Sequence, residues 1–286
     1  MKDMKLSYFT NDESFPLFVQ FGGHDEQMFM HGHEDFYELV TVLSGSAEHI
    51  VDNERSRISK GDVFVIGNGI VHGFDDPKDF RICNIMFRPD MLFTEDTDIR
   101  QLPGFHALFL LEPYFSSTQH FQSRLKLTPA DFALIEPLLN IAEQEYNSDF
   151  PGRKTMVLSI VRQLAVILSR LYGCPARSKE IAEIADAAAF MEQSYFQNIS
   201  VSDVIQRSHY SQRHFIRLFS AAYGMTPQKY LMNVRIRHAG AMLRDNRLSV
   251  TEVALRCGFS DSNYFSRIFR KYTGYSPSEF HGGLPK

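Results

Sequence analysis

The sequence predicts a mixed α+β, multidomain chain. Its parts are an N-terminal β-barrel or jelly roll, two following α-helices, and an all-α C-terminal domain with two helix-turn-helix motifs. Three observations lead there. Between residues 15 and 87, short apolar runs are broken by Gly, Asp and Asn, the pattern of many short strands. After residue 128 the apolar period lengthens to the 3-and-4 spacing of helices. Finally, the pattern of residues 200–230 returns over 249–280, an internal repeat.

Length and charge set the frame. A chain of 286 residues predicts two or three domains, with expected limits 1–127, 128–174 and 178–286. The net charge of −4 argues against a nucleic-acid binder until the chain is divided. Residues 178–286 carry 14 Lys and Arg against 9 Asp and Glu, and residues 1–177 carry 16 against 25. Basic charge thus gathers where the repeat lies, as phosphate neutralisation requires. Cys83, Cys174 and Cys257 show no metal or redox spacing, which fits a reducing compartment. The N-terminus MKDMKLSYFT lacks the apolar stretch of a signal peptide, and no run approaches membrane-spanning length. A soluble cytoplasmic protein with no membrane partner is expected.

In the N-terminal part, strands are expected at 37–43, ended by Gly45, then at 47–51, 63–66 and 82–87, with Asp52 and Asn53 as a turn. One spacing carries chemistry. His31-x-His33-x4-Glu38-x6-Gly45, followed by Gly61-x5-Gly67-x-Gly69-x2-His72, resembles the two cupin motifs. Gly67 stands where Pro is usual, and Asp76 where Asn is usual. The resemblance implies a cupin-like barrel with His31, His33, Glu38 and His72 at its working site. Neutral imidazoles with a carboxylate suit Zn, Fe or Mn at a mouth open to solvent. The same four residues would equally serve a small sugar without metal, or simply support the barrel. Phe36, Tyr37, Phe64, Phe74 and Arg81 are the nearby candidates for stacking on or bonding to a sugar, with Phe64 reading as core and Arg81 as surface.

Thr128 and Pro129 have the form of an N-cap and first helical residue. Phe132, Ile135, Leu138, Leu139 and Ala142 form that helix's apolar face. A break at 149–152 precedes a second helix over 154–172. Its stripe of Val157, Ile160, Val161, Leu164, Ile167, Leu168 and Leu171 approaches a heptad seam. Such a stripe either covers the barrel or also pairs two subunits as a homodimer. Residues 173–178 read as a short linker.

Ser178 is expected to cap a helix over 181–195 that braces the first helix-turn-helix, and a connecting helix is expected over 227–244. In the repeat, Ser200-Val201 matches Ser249-Val250 and Tyr210 matches Phe259, at an offset of 49. Beyond the turn the offset is 50, matching Phe215 with Phe265, Arg217 with Arg267, Gly224 with Gly274 and Pro227 with Pro277. One residue is therefore gained, expected at the start of the second recognition helix. The segment GFSDSNYFSRIFRKYTGYSP is very similar to the signature of AraC/XylS-family transcription regulators. The first copy departs from it at His209, where a small residue is favoured, and at Ile205, where Ala is usual.

The stripes Phe215, Leu218, Phe219 and Phe265, Ile268, Phe269 should be buried. Gln212, Arg213, Ile216 and Arg217, and Ser262, Asn263, Ser266 and Arg267, are then left to face double-stranded DNA. Arg suits guanine and Asn suits adenine. The family resemblance implies base contacts at Arg213, Ile216, Arg217, Ser262, Asn263 and Arg267. Lys229, Arg235, Arg237, Arg256, Arg270 and Lys271 read as phosphate contacts or a solvated basic face.

Residues 81–89 and 103–113 look like the rhamnose-responsive branch of that family. The reading is a ligand-responsive DNA-binding regulator, an activator by analogy, that senses a small sugar such as L-rhamnose and has RNA polymerase as a further partner. It has no catalytic residues. Two alternatives remain open: a metal-dependent cupin enzyme fused to a DNA-binding domain, and a regulator that needs no ligand.

Overall fold

The computed structural model describes residues 2–24, 28–51, 54–92, 98–115, 124–172, 179–245 and 247–281. The expected turn at Asp52-Asn53, the linker 173–178 and the cap at Ser178 lie outside these residues. The chain divides into two compact units, residues 1–94 with 104–181, and residues 95–103 with 182–286.

The first unit is built on one eight-stranded sheet. Its strands are β1 (Lys2–Met4), β2 (Leu17–His24), β3 (Met28–His33), β4 (Tyr37–Val51), β5 (Glu54–Ser59), β6 (Asp62–Ile66), β7 (Val71–Phe87) and β8 (Leu125–Lys126). β4 pairs with β5, β6 and β7, while β7 pairs with β2, β3 and β4. A straight strand of β4's 15 residues would span roughly 50 Å. Yet Val40 and Val42 near one end of β4, and Val51 at the other, enter the same core as Phe74, Phe80 and Ile82 of β7. The long strands are therefore bent, and the sheet wraps one apolar interior.

The bend corrects one expectation. Gly45 does not end a strand; 37–43 and 47–51 form one strand whose register with β7 shifts between Val42 and Glu48. Gly45 has φ +67, and a Cβ there would sit 2.2 Å from the Lys78 carbonyl oxygen, so the two backbones touch where β4 turns. Asp76 and Asp79 on β7 also take left-handed φ, 45 and 49. Asp and Asn are the side chains that tolerate that region, so Asp76 serves where Asn is usual. The other departure is steric: a Cβ at Gly67 would lie 2.8 Å from Cβ of Pro113.

Besides short helical turns at Leu6–Tyr8 and Pro89–Leu92 and a helical stretch over residues 103–115, two long helices belong to the unit. α1 (Pro129–Tyr146) opens on the expected Thr128, in a capping box with Asp131, and buries Phe132, Ile135, Leu139 and Ala142. Leu138 is only half-buried, while Leu134 and Ile141 are exposed at 56 % and 43 %. α2 (Arg153–Tyr172) buries Val157, Ile160, Val161, Leu164 and Leu168 within the same unit, and half-buries Ile167 and Leu171. Contrary to the sequence expectation, α2 is long and apolar enough to cross a membrane by length and composition. Its apolar stripe is instead largely spent on this unit's own core.

The second unit is helical. It contains α3 (Lys179–Ser194), α4 (Val201–Gln206), α5 (Gln212–Tyr223), α6 (Pro227–Arg244), α7 (Val250–Arg256), α8 (Ser262–Thr273) and α9 (Pro277–His281). Ser200 with Asp203, and Ser249 with Glu252, form capping boxes at the starts of α4 and α7. Ser211 and Asp261 cap α5 and α8, and Gly224 and Gly274 end them in left-handed φ. Both recognition helices have 12 residues. The residue gained in the second copy therefore falls at Ser260, in the turn before the cap, and not inside the helix.

Candidate functional sites: a buried histidine cluster and a paired helix-turn-helix

His31 and His33 alternate along β3 and so share a face. Glu38 is the second residue of β4, and His72, near the start of β7, pairs in register with His31. The sheet thus brings together all four residues expected from the sequence. They are buried, at 3 %, 2 %, 3 % and 1 % exposure for His31, His33, Glu38 and His72, and not at an open mouth. One donor atom from each lies within 4.8 Å of every other.

Three separations are tighter. His33 Nε2 lies 3.2 Å from His72 Nε2. Glu38 Oε2 lies 3.4 Å from His33 Nε2 and 3.5 Å from His72 Nε2. The edge of a tetrahedron with metal–nitrogen bonds of about 2.1 Å is roughly 3.4 Å, so this donor set fits a divalent cation. His31 Nδ1 lies 3.1 Å from the Phe29 carbonyl oxygen, and donating to it leaves Nε2 with a free lone pair.

Electrostatics point the same way. Burial pulls the His33 imidazole down to about 3, helped by His31. Burial also holds His72 well below the ordinary value, with His33, His31 and His49 adding to it. His31 is lowered by burial against the opposing bond to Phe29. The rings are therefore neutral, as ligation requires. Burial pushes the Glu38 carboxyl up to about 8, and Oε2 has no hydrogen-bond partner. A cation would take the place of that proton.

The surroundings are aromatic. Phe36 stacks on His33 with ring centroids 4.3 Å apart. A fourth imidazole, His49, escaped the sequence reading. It is fully buried, stacks between Phe64 at 4.6 Å and Phe74 at 5.1 Å, and meets His72 edge-on at 5.6 Å. Its signal was its place in strand 47–51, two residues from both Ala47 and Val51 and so on their inward face. Of the other sugar-contact candidates, Phe64 and Phe74 belong to the interior, and Tyr37 is half-buried. Arg81 is exposed, its guanidinium near Gly23.

In the second unit, Phe215, Leu218 and Phe219 of α5, and Phe265 and Phe269 of α8, are buried. Ile268 is only half-buried. Arg213, Arg217, Asn263 and Arg267 are exposed, while Ile216 and Ser262 are half-buried. Ser266 donates its hydroxyl to the Ser262 carbonyl. The 18 residues of α6 between the two motifs span about 27 Å.

Two basic residues change role. Arg235 donates to the backbone carbonyls of Tyr195, Gln197 and Ile199, and Arg237 pairs with buried Glu192. They hold the fold together and are not free for phosphate. Lys229, Arg256, Arg270 and Lys271 remain exposed. At His209, the Glu183 carboxylate accepts from both the backbone N–H and the ring, bracing from α3 a turn that lacks the second copy's glycine.

A duplicated helix-turn-helix joined in one chain to a β-domain with a buried polar site defines a DNA-binding regulator with a ligand-binding domain. Residues 15–137 match the AraC-like ligand binding domain and residues 204–282 match a helix-turn-helix domain; the chain belongs to the AraC family. It is similar to the HTH-type transcriptional activator RhaR of Salmonella dublin, 27 % identical over 97 % of this chain and 95 % of the relative. The RhaR of Mannheimia succiniciproducens is 26 % identical over 98 % and 96 %. Among solved structures, the DNA-binding domain of AdpA in complex with a target DNA is 29 % identical, covering 35 % of this chain and 90 % of that one at a TM-score of 0.34.

Proposed function

We propose that this chain is a cytoplasmic, sugar-responsive transcription activator whose barrel senses L-rhamnose or a closely related deoxy sugar. The observation that carries this reading is the buried His31, His33, Glu38 and His72 cluster, in one chain with two helix-turn-helix motifs. The whole-length similarity to proteins named RhaR supports the sugar and the activating direction. In this reading Arg213, Ile216, Arg217, Ser262, Asn263 and Arg267 contact bases, and RNA polymerase is the downstream partner. Sugar hydroxyls would be bound by the imidazoles and by Glu38. A Zn, Fe or Mn ion on those four donors would polarise a sugar oxygen as a Lewis acid.

The active form is a homodimer. Because α2 spends its stripe internally, the pairing surface is assigned to the outer face of α1. There Leu134, Leu138 and Ile141 form one apolar stripe.

Calorimetric titration of L-rhamnose into the full chain, before and after EDTA, tests the sensor. Binding that survives EDTA makes the cluster a metal-free sugar site; binding lost with EDTA makes it metal-assisted. Absence of heat in both conditions removes rhamnose as the effector.

A further inference from the structure

The two recognition helices carry the same three-part bracket, built from different chemistry. Positions 214 and 217 of α5, and 264 and 267 of α8, are each three residues apart and so share a helix face. In α5, Arg217 Nη2 lies 3.2 Å from His214 Nδ1. A guanidinium only donates, so Nδ1 is the accepting side of this contact. The imidazole's other neighbour is Tyr210 of the turn, ring centroids 4.8 Å apart.

In α8, the Arg267 guanidinium lies 5.7 Å from the centroid of the Tyr264 ring, within cation–π range. Tyr264 in turn meets Phe259 of its own turn at 6.2 Å. Tyr210 and Phe259, His214 and Tyr264, and Arg217 and Arg267 hold matching places in the repeat.

Burial does not demand this arrangement. Tyr264 is 40 % exposed and both arginines are exposed, so solvent would otherwise receive them. A long arginine loses rotamer freedom when it contacts a base edge, and a side chain already restrained loses less. We propose that His214 and Tyr264 are positioning residues that pre-order Arg217 and Arg267 for base recognition. The inference rests on the assignment of those two arginines as base contacts, and it adds a specificity role for residues that need touch no base.

The test uses the full chain. A randomised duplex library first supplies a preferred site, and fluorescence anisotropy then measures binding to that site, to its single-base variants and to an unrelated duplex. Arg217→Ala and Arg267→Ala should each flatten preference at one base pair. His214→Ala and Tyr264→Ala should lower discrimination at those same base pairs about two- to fivefold, leaving affinity for the unrelated duplex unchanged. Tyr264→Phe, which keeps the ring, and His214→Tyr, which installs the second copy's chemistry, should retain discrimination. His214→Ala should add nothing in an Arg217→Ala background.

If Arg217→Ala and Arg267→Ala leave every base preference intact, the base-contact assignment falls and the bracket with it. If the arginine variants flatten a position but the His214→Ala and Tyr264→Ala variants do not, the bracket alone is overturned. Loss of affinity for all duplexes equally in those two variants would also overturn it, since that marks a purely structural role.

Discussion

Replacing Gly258 by Ala should destabilise the second unit far more than the same change at Gly274. Both glycines hold left-handed φ, +78 and +83. The conformational cost of a Cβ there is about 1–2 kcal/mol in each case. The surroundings differ. A Cβ at Gly274 meets nothing within 4 Å, whereas at Gly258 it lies 2.5 Å from the Tyr195 carbonyl oxygen and 3.0 Å from that of Gln197. Those are carbonyls to which Arg235 donates, each at 2.9 Å. The backbone at 195–197 must retreat, and the Arg235 bonds weaken with it.

Charge-assisted hydrogen bonds of this kind contribute about 1.5–3 kcal/mol each. Partial loss on top of the backbone cost gives a total of about 3–4 kcal/mol for Gly258→Ala, against about 1–2 kcal/mol for Gly274→Ala. For a helical unit of this size the larger figure corresponds to a fall in Tm of roughly 10 °C or more. Calorimetric unfolding of the full-length variants reads the second unit's transition directly. Equal shifts for the two glycines would refute the steric argument and with it the bracing role of Arg235.

Further expectations follow from the barrel and from α1. Without metal, the first unit should lose stability on both sides of about pH 6.5. Glu38 is raised in the folded state to about 8, so its contribution is complete below the unfolded value of about 4.3 and is lost as pH climbs through 8. His33 and His49 are lowered to about 3, so their contribution is present above about 6.5 and is lost on acidification. Urea unfolding in EDTA should therefore show stability falling from pH 6.5 to 8 by up to about 1.4 kcal/mol per pH unit, and bound metal, which keeps Glu38 ionised in the folded state too, should remove that slope. A flat or rising profile in EDTA contradicts the assignment of a buried, protonated Glu38. Changing Leu134 and Ile141 together to Glu should convert a dimer to a monomer by light scattering at tens of micromolar. An unchanged mass would move the pairing surface elsewhere.

Local rules made much of the chain readable. The helix start at Thr128 rests on a side chain that caps its own backbone, and the Thr-Pro pair alone exposes it, whereas the caps at Ser200, Ser211, Ser249 and Asp261 emerge with the structure. The cluster of His31, His33, Glu38 and His72 was readable because strand alternation and motif spacing fix which side chains face inward. What failed was non-local. Gly45 reads as a stop, but here it lets one long strand bend against Lys78 and Asp79, a partner over thirty residues away in sequence. Arg235 and Arg237 look like a basic surface until α3 supplies Glu192 and the chain beyond it supplies three carbonyls. His49 carries no motif; strand alternation sets it on the inward face of 47–51, but only the structure shows it stacked between Phe64 and Phe74.

The central claim is that one chain couples a sugar in the barrel to DNA at the paired helices. Coupling requires the sugar to favour the DNA-competent arrangement, and the energies of such linkage correspond to about 5–150-fold in affinity. The decisive measurement is the affinity of the full chain for its library-selected duplex with and without saturating L-rhamnose, at one fixed salt concentration. The expected shift is at least about fivefold, and it disappears in His33→Ala or His72→Ala. Identical affinities with and without the sugar, in a protein that binds rhamnose calorimetrically, would contradict the claim.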